Sequence, residues 1–118
     1  MTTIHVRRVY EPPTDHDGLL VLVDRLWPRG VRKADLGEDV WDKDVAPSPE
    51  LRTWWSHDPE RFAQFAERYR AELAAGDALE RLAAMCRTHS DVTLLYAARD
   101  PEVNHAVVLR EALEAAIA

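Results

Sequence analysis

Two arginines stand where a predicted buried strand passes into a tight turn. The apolar run 19–23 leads into Asp24 and Arg25, and the Trp-Pro-Arg-Gly sequence that follows predicts a turn that projects Trp27 and Arg29. Arginine presents a planar fork of donors that matches phosphate and carboxylate groups. We therefore expect Arg25, Trp27 and Arg29 to bind a small anion and Asp24 to handle protons. The alternative is structural, with Arg25 paired to an internal acid and Arg29 exposed to solvent.

A second predicted strand, 92–98, also ends in residues that can carry chemistry. Arg99 follows it directly, and Asn104 and His105 come a few residues later. Ligands of open parallel sheets bind beyond the carboxyl ends of the strands, so these three side chains should face the first arginines. His105 would then be a general acid or base. Its apolar neighbours also allow a purely structural histidine.

The stretch between these two strand ends is rich in tryptophan and supplies further candidate ligand contacts. All four tryptophans and both lysines of the chain lie between residues 27 and 55. As a wall or lid of the site, this stretch would provide Trp41, Lys43, Ser48 and Arg52. As a structural segment, its tryptophans would fill the core and Ser48 would only cap a helix, since no Gly-x-Ser-x-Gly sequence surrounds that serine.

Length and charge narrow the classes of protein. The 118 residues suit a single domain over 1–118. The net charge of −6 repels nucleic acid, so nucleic acid is an unlikely partner, whereas a small anionic molecule can still be held by local arginines. No segment is apolar enough to span a membrane and no signal peptide is visible, so we expect a cytoplasmic protein. The oligomeric state is left open.

Cofactor and metal signals are missing from the sequence. The lone Cys86 excludes an internal disulfide and falls on an apolar helical stripe, so we expect a buried, inert thiol. The five histidines lack the spacing of a metal site. There is no Gly-x-Gly-x-x-Gly and no Walker loop. We therefore predict neither a metal nor a cofactor.

Hydrophobic patterning predicts strands at 3–10, 19–23 and 92–98, with a weaker edge strand at 39–46. Helix starts are predicted where Ser or Asp precedes Pro and Glu, at Ser48, Asp58 and Asp100. A capping box predicts a fourth start at Asp77, after a left-handed Gly76. This order predicts an α/β fold: an open, largely parallel sheet of about three to five strands, layered by helices in a Rossmann-like three-layer arrangement.

Several of these segments together resemble the YeaO-like family of uncharacterised bacterial proteins (domain of unknown function 488). The matching segments are Arg8-Val9-Tyr10, Asp17-Gly18, Leu22–Gly30, Trp41-Asp42-Lys43, Ala46-Pro47-Ser48, Leu51-Arg52, Leu94–Ala98 and Asn104-His105-Ala106. The resemblance implies an α/β fold and a small cytosolic protein, but it implies no established reaction. The wider family often has Cys-His-Arg where this chain has Asn104-His105-Ala106, so only His105 carries over and thiol chemistry is in doubt.

The leading hypothesis is a site for a phosphate- or carboxylate-bearing, nucleotide-like ligand at the carboxyl edge of the sheet, with hydrolysis or group transfer as the candidate reaction. The rival is a non-catalytic protein-interaction module that uses the Trp-rich stretch 27–55. A nucleic-acid-binding accessory protein is the weakest of the three, because the chain is acidic.

Overall fold

In a computed structural model, which describes every residue from Met1 to Ala118, the chain forms a four-stranded parallel sheet. The strand order is β1-β4-β2-β3. The strands are β1 (Thr3–Arg8), β2 (Leu19–Leu22), β3 (Val40–Trp41) and β4 (Asp91–Tyr96). The predicted α/β fold with an open parallel sheet is confirmed.

The two predicted apolar strands lie inside the sheet, as their composition requires. In the register of the sheet, Leu94 of β4 pairs with Val6 of β1 on one side and with Val21 of β2 on the other. Strands covered on both faces are continuously apolar, and β4 is buried from Val92 to Tyr96. Both interior strands therefore direct their carboxyl ends to the same edge.

Five helices cover the sheet unequally. They are α1 (Lys33–Leu36), α2 (Pro49–Trp55), α3 (Phe62–Ala75), α4 (Ala78–Cys86) and α5 (His105–Ile117). The four longer helices share the main core with Val21 and Leu94. The opposite face has a small core in which Leu36 of the single-turn α1, which was not predicted, packs with Leu22 and Leu95.

Two of the predicted helix starts are confirmed in place. Ser48 caps α2, and its hydroxyl oxygen accepts the Leu51 amide proton at 3.2 Å. Asp58 caps a short 3-10 turn, Pro59–Arg61, which runs directly into α3.

The start predicted at Asp100 is wrong. Its carboxylate accepts the amide protons of Glu102 and Val103 at 2.8 and 3.0 Å, which closes a turn, and α5 begins only at His105. Asn104 is the real cap, because its side-chain oxygen accepts the Val107 amide proton at 3.0 Å. An Asp side chain satisfies a local turn as readily as a helix start, so the pattern alone could not separate the two.

At the fourth start the helix is confirmed but its cap is wrong. The Asp77 side chain makes no cap and instead accepts a hydrogen bond from Arg81 at 2.9 Å. Gly76 is extended, with φ −119°, rather than left-handed.

The predicted edge strand at 39–46 is mostly wrong. Only Val40–Trp41 pairs with β2, and a 3-10 turn, Lys43–Val45, follows. The Asp42 carboxylate accepts the Asp44 amide proton at 3.2 Å, which turns the chain away from the sheet. Across the whole fold, the helices are all too short or too polar to traverse a lipid bilayer.

Candidate functional site

A cavity of about 330 Å³, here called the main cavity, opens at the carboxyl edge of the sheet. Its volume falls at the lower end of the roughly 300–1,000 Å³ of small-molecule sites. The lining residues are Tyr10, Asp24, Arg25, Leu26, Trp27, Pro28, Arg29, Ala46, Pro47, Arg52, Trp55, His57, Ala97, Ala98 and His105. The structure therefore brings together six of the predicted site residues: Asp24, Arg25, Trp27, Arg29, Arg52 and His105.

The three arginines of the main cavity have no acidic partners. Arg25, Arg29 and Arg52 form no ion pair, although the chain has more carboxylates than cations. Arginines in ion pairs lie elsewhere and are Arg7, Arg32, Arg61, Arg70, Arg81 and Arg87. The lining of the main cavity thus has three arginines against one carboxylate, Asp24, which makes it a region of net positive charge on an acidic protein.

The three arginines are held differently. Arg25 is half-buried and donates to the carbonyl oxygens of Pro47 and Ala46 at 3.4 and 3.3 Å. Arg29 and Arg52 are exposed, and their guanidinium groups have no hydrogen-bond partner in the protein. Arg25 is therefore held in the wall by hydrogen bonds, whereas the guanidinium groups of Arg29 and Arg52 have unused donors.

Asp24 is held by two hydrogen bonds and lies close to His105 of α5. Its Oδ2 accepts the Ala97 amide proton at 3.0 Å, and its backbone oxygen accepts the Trp41 indole proton at 2.7 Å. Its Oδ1 lies 3.1 Å from Nε2 of His105. The Nε2 hydrogen, however, is aligned with the Val23 carbonyl oxygen, also at 3.1 Å, so Oδ1 stays buried without an aligned donor.

The two ring nitrogens of His105 have different surroundings. A carbonyl oxygen only accepts hydrogen bonds, so Nε2 carries the hydrogen that points to Val23. Nδ1 has no partner in the protein, and Asp24 Oδ1 is the sole buried side-chain polar atom without one, so Nδ1 must be accessible to solvent. Nδ1 is thus the ring nitrogen that faces solvent, while Nε2 lies between two acceptors.

Trp41 and Lys43 lie behind the main cavity rather than in it. The Trp41 ring packs edge-on against Trp27 with 5.3 Å between ring centroids. The Lys43 ammonium lies 4.1 Å from the centroid of the Trp41 ring. Trp41 therefore supports Trp27 and Asp24 from outside.

Ser48 and Asn104 have structural partners. The Ser48 hydroxyl donates to Glu72 at 2.5 Å and caps α2, and Ser48 lines a different cavity from the main one. Asn104 is fully buried, and its amide nitrogen donates to the Asp100 carbonyl oxygen at 2.8 Å. Arg99 lines a neighbouring cavity.

Tyr10, Trp55 and His57 were not predicted as site residues, but they line the main cavity. The Tyr10 hydroxyl donates to the Arg29 carbonyl oxygen at 2.8 Å, which ties β1 to the arginine turn. The His57 ring packs on Trp55 with 4.9 Å between centroids. No local pattern marks these residues, since their positions depend on how α2 docks on the sheet.

Two consecutive residues at the rim of the main cavity adopt left-handed backbone conformations. Ser56 has φ 51° and His57 has φ 58°, a region that side chains with a Cβ rarely occupy. Ser56 ends α2, and its turn places His57 over Trp55.

We expect Ser56→Gly to stabilise the protein. A side chain with a Cβ costs about 1–2 kcal/mol in the left-handed conformation, and glycine avoids this cost. The greater conformational entropy of glycine in the unfolded chain offsets a smaller part of the gain. The free energy of unfolding in urea should rise by about 0.5–1 kcal/mol. A loss of stability in this variant would mean that the serine side chain, rather than the backbone, matters at this turn.

The single thiol of the chain lies outside the main cavity. Cys86 is buried in the core formed with Leu82 and Ala83. Burial raises the pKa of the thiol to about 11, so the reactive thiolate is scarce at neutral pH. The geometry agrees with the expectation of an inert cysteine.

The fold and the site define the class of protein: an α/β protein with an arginine-lined cavity at the carboxyl edge of its sheet. The family model described as "Inactive DUF488-N3 subclade" matches residues 3–118. The chain therefore belongs to this DUF488 subclade, and the resemblance to YeaO-like proteins is confirmed.

Two curated relatives illustrate the match. Uncharacterized protein Rv3073c of Mycobacterium tuberculosis is 48% identical over 112 residues, which cover 95% of this chain and 94% of the relative. Uncharacterized protein YeaO of Escherichia coli is 44% identical over 108 residues, which cover 92% and 94% of the two chains. No solved structure matches the chain.

Proposed function

We propose that this protein binds a small phosphate- or carboxylate-bearing molecule in the main cavity. The observation that carries the proposal is the group of three arginines, Arg25, Arg29 and Arg52, that line one cavity without an acidic partner. Three guanidinium groups without ion pairs around one cavity create a local positive field that attracts a small anion, although the whole chain has a net charge of −6.

The aromatic lining supports a ligand that also has a ring. Trp27 and Tyr10 line the same cavity as the arginines and keep part of their surface exposed, whereas Trp55 is stacked on Phe65 with 4.0 Å between centroids and supports the wall from behind. Aromatic walls beside cationic donors suit a nucleotide-like molecule.

Binding without turnover fits the site better than catalysis does. The main cavity contains no serine, threonine or cysteine that could serve as a nucleophile. Its family is described as an inactive subclade. For hydrolysis or group transfer, His105 would have to exchange a proton through Nδ1, with Asp24 and Val23 holding Nε2. We assign these two residues, His105 and Asp24, to orienting the ligand.

The two alternative functions have less support. An interaction module that used the Trp-rich stretch 27–55 would need exposed aromatic rings, but Trp55 is only 3% exposed and Trp27, Trp41 and Trp54 are half-buried. Nucleic-acid binding would need a basic surface broad enough to overcome the acidic total.

The test is calorimetric titration with adenosine monophosphate (AMP) and with adenosine as the uncharged matched probe. We expect AMP to bind more tightly than adenosine, and Arg29→Ala and Arg52→Ala each to weaken AMP binding by about tenfold, since a hydrogen bond to a charged group contributes roughly 1.5–3 kcal/mol. Neither guanidinium has a hydrogen-bond partner in the protein, so these variants should keep the thermal stability of the parent.

Arg68→Ala is the matched control. Arg68 of α3 lies outside the main cavity, with its guanidinium 4.0 Å from the centroid of the Trp54 ring, so this variant removes the same charge without touching the site. Equal binding of AMP and adenosine, or equal losses in Arg52→Ala and Arg68→Ala, would contradict the proposal.

A further inference from the structure

A second cavity, here called the side cavity, lies next to the main cavity and shares part of its lining. The side cavity is lined by His57, Ala97, Ala98, Arg99, Asp100 and Val103. Three of these residues, His57, Ala97 and Ala98, also line the main cavity. The two spaces therefore share an uncharged floor of alanines and a common wall, the His57 imidazole.

Arg99 supplies the side cavity with a free cationic group. It is exposed, forms no ion pair and makes no side-chain hydrogen bond within the protein. Arg8 adds positive charge close by, because its Nε donates to the Ala98 carbonyl oxygen at 3.0 Å and it has no acidic partner for its guanidinium. Two arginines without ion pairs are thus associated with the side cavity: Arg99 lines it, and Arg8 is hydrogen-bonded to Ala98 of its lining.

One carboxylate, Asp100, also lines the side cavity. Hydrogen bonds from the amides of Glu102 and Val103 hold the pKa of Asp100 below its usual range, so the group is charged at neutral pH. Those two amides offset its charge locally, and Arg99 is not ion-paired with it. The guanidinium of Arg99 therefore stays available to a ligand.

We infer that the ligand has two anionic groups separated by an uncharged middle section. One group meets Arg25, Arg29 and Arg52, the middle crosses the alanine floor beside His57, and the second group meets Arg99. The His57 imidazole marks the boundary between the two parts of this site, because it lines both cavities and packs on Trp55 with 4.9 Å between ring centroids. This inference rests on the proposed function and narrows the class of ligand to molecules that have two separate anionic groups.

The experiment compares AMP with an adenosine bisphosphate that carries the same phosphate as AMP and a second phosphate elsewhere on the ribose. We expect the bisphosphate to bind the parent protein about tenfold more tightly than AMP. Arg99→Ala should remove that advantage and leave AMP affinity unchanged, whereas the control Arg68→Ala should change neither affinity.

The outcomes separate the two proposals. If AMP binds through Arg29 and Arg52 but the bisphosphate gains nothing, or if its gain survives Arg99→Ala, the two-anion inference is wrong and the proposed function stands. If neither nucleotide binds, the proposed function fails and this inference fails with it.

Discussion

Replacing Gly18 with alanine should lower the free energy of unfolding by about 4 kcal/mol, which is a large share of the roughly 5–15 kcal/mol that stabilise a domain. A Cβ on Gly18 would lie 2.0 Å from the Asp91 carbonyl oxygen and 2.5 Å from its carbonyl carbon. The backbone there also has φ +61°, which alanine tolerates poorly. Both costs act at the point where β2 begins.

The clash matters because it displaces backbone rather than a mobile side chain. Gly18 precedes Leu19, which is in register with Val92 of β4, and Asp91 begins β4. Moving either segment weakens the β2–β4 pairing that leads to Asp24. We expect urea unfolding and circular dichroism to reveal either a strongly destabilised fold or a failure to fold.

Gly37→Ala is the matched control for this prediction. Gly37 has nearly the same backbone, with φ +70°, but nothing lies within 4 Å of an added Cβ. The Gly37→Ala variant should be destabilised by only about 1 kcal/mol, the cost of placing alanine in the left-handed conformation. Equal losses in the two variants would mean that the contact with Asp91 has no energetic weight.

Asp17→Asn should have the second largest effect, a loss of about 3 kcal/mol at neutral pH. Arg7 and Asp17 form an ion pair at 2.8 Å, with side chains only 9% and 11% exposed. Removing one charge leaves the other buried and unpaired, which costs roughly 3–5 kcal/mol, and the remaining solvent contact favours the lower end.

The same substitution should change the response to acid. Burial alone would raise the Asp17 pKa, but hydrogen bonds from Thr14 and then the contact with Arg7 outweigh burial and hold the pKa below its ordinary value of 3.8. The ionised carboxylate therefore adds stability above about pH 4, and this contribution is lost as the pH falls through the lowered pKa. Asp17→Asn should flatten that part of the stability curve.

Glu111→Gln provides the comparison for the ion pair. Glu111 contacts Arg70 at 3.3 Å, but both side chains are at least half exposed. Exposed pairs contribute little, so this variant should unfold almost like the parent across the pH range. An acid response in Asp17→Asn as steep as that of the parent would assign the stability to another group.

Much of the fold could be predicted because its signals are local or compositional. The apolar runs ending at Val23 and Ala98 predicted interior strands of a parallel sheet, and the Ser48 cap was read from its neighbours in sequence. By contrast, the start of α5 was misplaced at Asp100, because an Asp carboxylate satisfies a tight turn and a helix start with the same hydrogen bonds.

Some residues of the candidate site could likewise be predicted from the sequence, and others could not. Asp24, Arg25, Arg29 and His105 were expected at one sheet edge, since the carboxyl ends of parallel strands must meet there, and all four line the main cavity. His57 could not be anticipated, because its place depends on the left-handed turn at the end of α2 and on how Trp55 packs.

By itself, then, the sequence determined the fold class, the family and the edge at which charged groups converge, because hydrophobic period and strand direction are encoded residue by residue. Only the tertiary structure decided which cations remain unpaired. Whether an arginine forms an ion pair depends on contacts between distant segments, as in the pairing of Arg7 with Asp17 and the lack of any ion pair at Arg52.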